Sequence, residues 1–254
     1  MKTNTHRRGL HRIVAFLLCA VCVFSLLPAQ AFAAGVGQKA SSWLGDQYVG
    51  SDGQHYYSPV PTNFLAYNSD GTTDKRSGSG GSAYRHYMLT DSDGVTHSVY
   101  CVESGIPYNT SENTYTSENG TNSDYLNMLP STARRGITLT AIYGWKPGAS
   151  LPVSGINEDD YKMATQIILW EYQQQLRSDP YSRHSNGHAS ADQYYSVVAG
   201  RPAEKAYNWI LEQVASHSTV PSFTAANKGD APVLELKWDT SRKVYTLTVT
   251  DTNN

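Results

Sequence analysis

Two side chains in this chain have the type and the setting for covalent chemistry. The first is a thiol. Cysteine occurs three times in the 254 residues, at Cys19, Cys22 and Cys101. The first two fall in an N-terminal export signal, so the mature chain keeps Cys101 alone. A secreted chain with one cysteine has no internal disulfide, and its sulfur is a free thiol, bonds a partner chain or has some other use. A free thiol outside the cell is open to oxidation. The second is Gln166, in the apolar stretch Ala164–Tyr172, ATQIILWEY. A buried glutamine must satisfy four hydrogen-bonding positions or cost a few kcal/mol. The ordinary reading is a core glutamine hydrogen-bonded to nearby backbone. The chemical reading is a carboxamide carbonyl placed in a dry environment.

The elements that must position these two groups are legible. Asn157-Glu158-Asp159-Asp160 marks a helix start, where Asn157 caps and the carboxylates complement the positive end of the dipole. No breaker follows Tyr161 before Pro180, which predicts a helix over about Glu158–Arg177. Tyr161, Ala164, Ile168 and Tyr172 share a stripe, and Ile167, Leu169 and Trp170 widen it round the axis, as in a buried helix. Asp91–Gly94 (DSDG) reads as a turn leading into a strand over Val95–Val102. Alternation there puts His97, Val99 and Cys101 on one face and Ser98, Tyr100 and Val102 on the other. Cys101 is thus expected on a strand, unlike cysteine-protease nucleophiles that gain thiolate character from a helix N-terminus or an ion-pairing histidine. His97 can assist proton transfer there, or be a strand histidine facing a neighbour.

The rest of the chain bounds the possibilities. Lys2, His6, Arg7, Arg8, His11 and Arg12 precede the apolar run Ile13–Leu27 and the small-residue site Ala31-Phe32-Ala33. This pattern predicts a signal peptide over 1–34, cut after Ala33 or Ala34, and an exported protein. A formal net charge of −2 argues against a nucleic-acid groove, which requires a basic face. Eighteen tyrosines against five phenylalanines suit an extracellular surface module.

Tyr56–Tyr67 and Tyr84–Leu89 read as short strands, with Ser77–Ser82 (SGSGGS) as a flexible tip. Asn109–Asp124 reads as a long polar loop holding two chance sequons, at Asn109 and Asn119. Helices are expected over Ser131–Tyr143, stopped by Gly144 and Pro147, and from Pro202, with Ala206, Trp209, Ile210 and Val214 inward. His184 and His188 share a loop without cysteine or clustered carboxylates, so no metal and no cofactor is expected. Val233–Trp238 and Val244–Val249 read as a hairpin that closes the domain or begins a following Ig-like one. The chain stops at Asn254 without a sorting signal, as the N-terminal piece of a longer surface protein would.

Taken together, Tyr100-Cys101-Val102 and Thr165-Gln166-Ile167-Ile168-Leu169-Trp170 resemble the paired motifs of the thioester domains of Gram-positive surface adhesins. In that family a cysteine in an aromatic-Cys-apolar context pairs with the glutamine of a Thr-Gln-x-Ala-apolar-Trp helix. Ile168 departs from the motif alanine. The resemblance spans about Gln38–His217. It implies a domain over 35–230 with an internal thioester between Cys101 and Gln166. It also implies single-use covalent capture of an amine, such as a lysine side chain, on a host surface molecule, without enzymatic turnover. The implied setting is the cell surface, with wall anchoring through a region beyond this chain. The expected fold is α+β, a mainly β portion carrying Cys101 packed on a helical portion carrying Gln166, with Tyr100 and Trp170 walling the bond.

Two other classes stay open. One is a secreted cysteine peptidase or transglutaminase using Cys101 with His184 or His188. The other is a non-covalent binding module with an inert buried cysteine.

Overall fold

The computed structural model describes residues 37–58, 64–68, 70, 72–76, 83–105, 108–112, 115–117, 123–217, 237–239 and 244–246. The expected signal peptide, the tip expected at 77–82, the Asn119 sequon and the outer parts of the expected C-terminal hairpin lie outside these residues. The architecture is α+β. A four-stranded antiparallel sheet has the order β5-β4-β1-β6, from β1 (Lys39–Gln47), β4 (Arg85–Asp91), β5 (Thr96–Val99) and β6 (Tyr115–Thr116). A hairpin of β2 (Phe64–Tyr67) and β3 (Thr73–Arg76) stands beside it in sequence, and β7 (Lys237–Asp239) pairs with β8 (Val244–Thr246). The helices are α1 (Asp124–Met128), α2 (Ser131–Tyr143), α3 (Glu158–Gln173), α4 (Ala191–Tyr195) and α5 (Pro202–His217).

The turn at Asp91–Gly94 forms as expected, with Gly94 in the left-handed region at φ +80°. It sets the β4–β5 register, in which Tyr87 faces Val99 and Leu89 faces His97. β5 ends at Val99. The strand expected over Val95–Val102 is therefore shorter, and Cys101 lies two residues past its end. The polar loop expected over Asn109–Asp124 also contains structure. Tyr115 pairs with Ala40 as an edge of the sheet, and Ser123 caps α1 by accepting from the Leu126 N–H.

Helix α3 is the centre of the molecule. Its start is a capping box: the Asn157 side chain accepts from Asp160 N–H at 2.8 Å, and the Asp160 carboxylate accepts from Asn157 N–H at 2.9 Å. Every residue from Asp160 to Gln173 is buried. The helix ends four residues before Arg177. Gln175 takes φ +55°, its N–H bonds the Tyr172 carbonyl, and the Leu176 N–H bonds the Glu171 carbonyl. That is a Schellman ending with glutamine where glycine is usual. Helix α2 packs closely on α3 because Gly136 leaves room for the Tyr172 ring, which a Cβ at that position would meet at 2.1 Å. Helix α5 buries Ala206, Ile210 and Val214 against the same core, while Trp209 stands half-buried edge-on to Tyr161.

Candidate functional site

A helix buried on all sides must find partners for its polar side chains, and α3 does so largely with other backbone. Gln166 is 1% exposed. Its Oε1 accepts from the Cys101 N–H at 3.0 Å, and its Nε2 donates to the Cys101 carbonyl at 2.6 Å. One carboxamide thus satisfies both backbone groups of one residue, as a neighbouring strand would. Two turns further on, Gln173 accepts from Ser104 N–H at 3.4 Å. The segment Tyr100–Ser104 has left the sheet and runs along α3 on glutamine side chains.

Other contacts fix that segment. The Tyr100 hydroxyl donates to the Trp145 carbonyl at 2.9 Å, and the Tyr125 hydroxyl donates to the Val102 carbonyl at 3.2 Å. Ser104 and Tyr194 share a hydroxyl–hydroxyl hydrogen bond of 2.5 Å. Thr165 holds the other side: its hydroxyl accepts from Trp145 N–H at 2.9 Å and donates to the Tyr161 carbonyl at 2.8 Å.

Cys101 is a free thiol in a half-buried residue, and Gln166 lies deeper. The thiol donates to the Glu103 carbonyl at 3.3 Å. Burial pushes its pKa up, and the Glu103 backbone and the nearby Trp170 indole oppose that rise. The Trp170 N–H is buried without a hydrogen-bond partner among the described residues. It is therefore a donor available to the sulfur as negative charge grows. Trp170 packs between Tyr84 and Tyr194, with ring centroids 5.6 and 6.0 Å away. Tyr87, Tyr108 and Tyr125 are close enough to feel a charge on the sulfur. A thiol and a carboxamide held together in this aromatic surround have the components of an acyl transfer from nitrogen to sulfur.

The remaining candidates lie elsewhere. His97 pairs with Asp91 at 2.8 Å, so it faces a neighbour on the sheet and not the thiol. His184 bonds Ser178 at 3.1 Å, and among the described residues no histidine hydrogen-bonds Cys101. The described residues contain no cluster of three metal-ligating side chains and no helix long and apolar enough to cross a membrane. Sequence reasoning missed the role of Trp145, whose backbone joins Tyr100 to Thr165. It also missed Gln173 as a second rung and the His86–Lys162 contact described below. No curated protein and no solved structure matches the chain. Residues 98–216, which hold both Cys101 and Gln166, match the family model described as TED: Thioester domain, and the match supports a thioester domain in this part of the chain.

Proposed function

We propose that Cys101 and Gln166 join in an internal thioester through which a module of about residues 35–230 captures an amine on a host surface molecule. The observation that carries this reading is the two-point clamp of the Gln166 carboxamide on Cys101. It holds the Gln166 carboxamide against the backbone of Cys101, the one cysteine among the described residues, and such positioning supports attack by a poor nucleophile on a poor acyl donor. The Cys101 N–H already points at Oε1, where negative charge grows as the sulfur attacks.

For the bond to form, Sγ turns from the Glu103 carbonyl onto Gln166 Cδ. The C–N bond breaks, and the nitrogen leaves as ammonia with the proton released by the thiol. The Nε2 bond to the Cys101 carbonyl is lost with it, and the Cys101 N–H bond to the carbonyl oxygen remains. Burial of Gln166 shields the product from water. An incoming amine then attacks the same carbon, the C–S bond breaks, and the Cys101 thiol is released with an amide on Gln166. Each chain reacts once. The export pattern at the N-terminus and the family's surface setting support a module that works outside the cell.

Incubation of the mature chain with methylamine tests this. The expected result is uptake of one methylamine at Gln166 and one maleimide-reactive thiol at Cys101, both abolished in Cys101→Ala and Gln166→Ala. A folded wild-type chain that takes up no methylamine would leave a non-covalent module as the better account.

A further inference from the structure

An uncharged amine that reaches a thioester consumes it, and α3 carries a lysine one turn before Gln166. Lys162 lies four residues before Gln166. Positions i and i+4 are neighbours on a helix surface, with Cβ atoms about 5–6 Å apart. Helical side chains lean toward the N-terminus, so Gln166 leans toward the turn that holds Lys162, while Lys162 itself is turned to His86.

Lys162 is only 5% exposed, and burial draws its amine below the ordinary lysine range, against the opposing pull of Asp159 and Glu158. Its position is tightly specified. Nζ donates to His86 Nδ1 at 2.7 Å and lies 3.8 Å from the Trp145 ring centroid. His86 Nε2 meets Asp159 Oδ1 at 2.9 Å, and Asp159 Oδ2 accepts from Val49 N–H at 3.0 Å. With Nδ1 as acceptor, the network makes Nε2 the protonated nitrogen of His86. The network seats the amine on an imidazole that is itself oriented by a carboxylate, and over the Trp145 ring.

Resting on the thioester reading, we propose that Lys162 is a latent internal acceptor for the Gln166 acyl group. His86, Asp159 and Trp145 hold its amine off the thioester, so that the bond survives until an external amine arrives. In the internal reaction Lys162 Nζ attacks Gln166 Cδ and the Cδ–S bond breaks. The sulfur takes the proton that the amine loses, leaving a Lys162–Gln166 side-chain amide and a free Cys101 thiol. No further reactant is needed.

The internal amide has the same mass as the thioester but exposes a thiol and cannot take up methylamine. In the purified mature chain, His86→Ala is expected to keep the ammonia deficit, show one free thiol and lose methylamine uptake. A cross-linked Lys162–Gln166 peptide should appear on digestion. His86→Ala with Lys162→Met should regain uptake. A His86→Ala chain with a masked thiol and wild-type uptake overturns the proposal, leaving the network a structural tie between α3 and β4. A His86→Ala chain without any ammonia deficit overturns it too, since His86 then serves bond formation. If His86→Ala does not fold, wild type is warmed until uptake is lost. The cross-linked peptide is expected; complete conversion to the hydrolysed product, one water heavier, overturns the proposal. Failure of the thioester reading itself is a separate result, a wild-type chain with no ammonia deficit from the start.

Discussion

Tyr100 and Thr165, the residues immediately before the cysteine and the glutamine, are tied to opposite ends of one residue's backbone. Tyr100 donates to the Trp145 carbonyl and Thr165 accepts from the Trp145 N–H, each at 2.9 Å. Trp145 follows the end of α2, where Gly144 closes the helix and a Cβ would meet Thr165 Cγ2 at 2.3 Å. The last turn of α2 therefore sets the spacing between the loop that carries the thiol and the helix that carries the carboxamide.

Thr165→Val keeps the shape and removes the hydroxyl, stranding the buried Trp145 N–H. We expect a loss of about 1–3 kcal/mol, the cost of one buried donor left unpaired. Thr165→Ser keeps the acceptor and should lose less. Urea unfolding checks both, and equal midpoints for valine and serine would remove the Trp145 bridge from the account.

Gln174 supplies an internal control. It holds Leu65 by the same two bonds, accepting from the N–H at 2.6 Å and donating to the carbonyl at 3.0 Å. Leu65 carries no nucleophile, so that clamp is structural only. Gln174→Ala should lower the melting temperature while each folded chain still takes up one methylamine. Gln166→Ala should abolish uptake. Loss of uptake in a folded Gln174→Ala chain would show that the two clamps act as one unit.

The bond should also stabilise the fold. Cys101 and Gln166 are 65 positions apart, and by analogy with a disulfide closing such a loop the link is worth about 2–4 kcal/mol. Cys101→Ser should unfold at lower denaturant than wild type, and methylamine-opened wild type should unfold with it. Equal midpoints for intact and opened protein would show that the link adds nothing to stability.

The released thiol has its own signature. Burial pushes the Cys101 pKa up while Trp170 and the Glu103 backbone favour the thiolate. Iodoacetamide alkylation of methylamine-opened protein should therefore rise with pH at values above those of an ordinary exposed thiol. Trp170→Phe should move the midpoint higher still. A midpoint in the ordinary thiol range would mean that the site opens to water once the amine has reacted.

Much of the scaffold was legible because local signals and burial agree. Asn157 with Asp160 marks the start of α3, Gly144 ends α2, Pro202 opens α5, and Gly94 makes the β4–β5 turn. The end of β5 was not legible. Val99-Tyr100-Cys101-Val102 is aromatic and β-branched enough to read as strand, but past Val99 the Cys101 backbone pairs with the Gln166 side chain and the Val102 carbonyl with the Tyr125 hydroxyl, not with a sheet neighbour. Nor does alternation in Asn109–Asp124 announce β6, which is two residues long. The Lys162–His86 contact spans 76 positions, and periodicity marks a buried face without naming what covers it. Gln166 fits both of its sequence readings at once. It is a core glutamine satisfied by backbone, and that backbone belongs to the lone cysteine.

The intact mass of the purified mature chain, measured under denaturing conditions without added amine, tests the central claim most directly. A Cys101–Gln166 thioester predicts a mass one ammonia below that calculated from the mature sequence, restored to the calculated value for each variant in Cys101→Ala and Gln166→Ala. A wild-type mass equal to the calculated one, with Cys101 reacting as a free thiol, would contradict it.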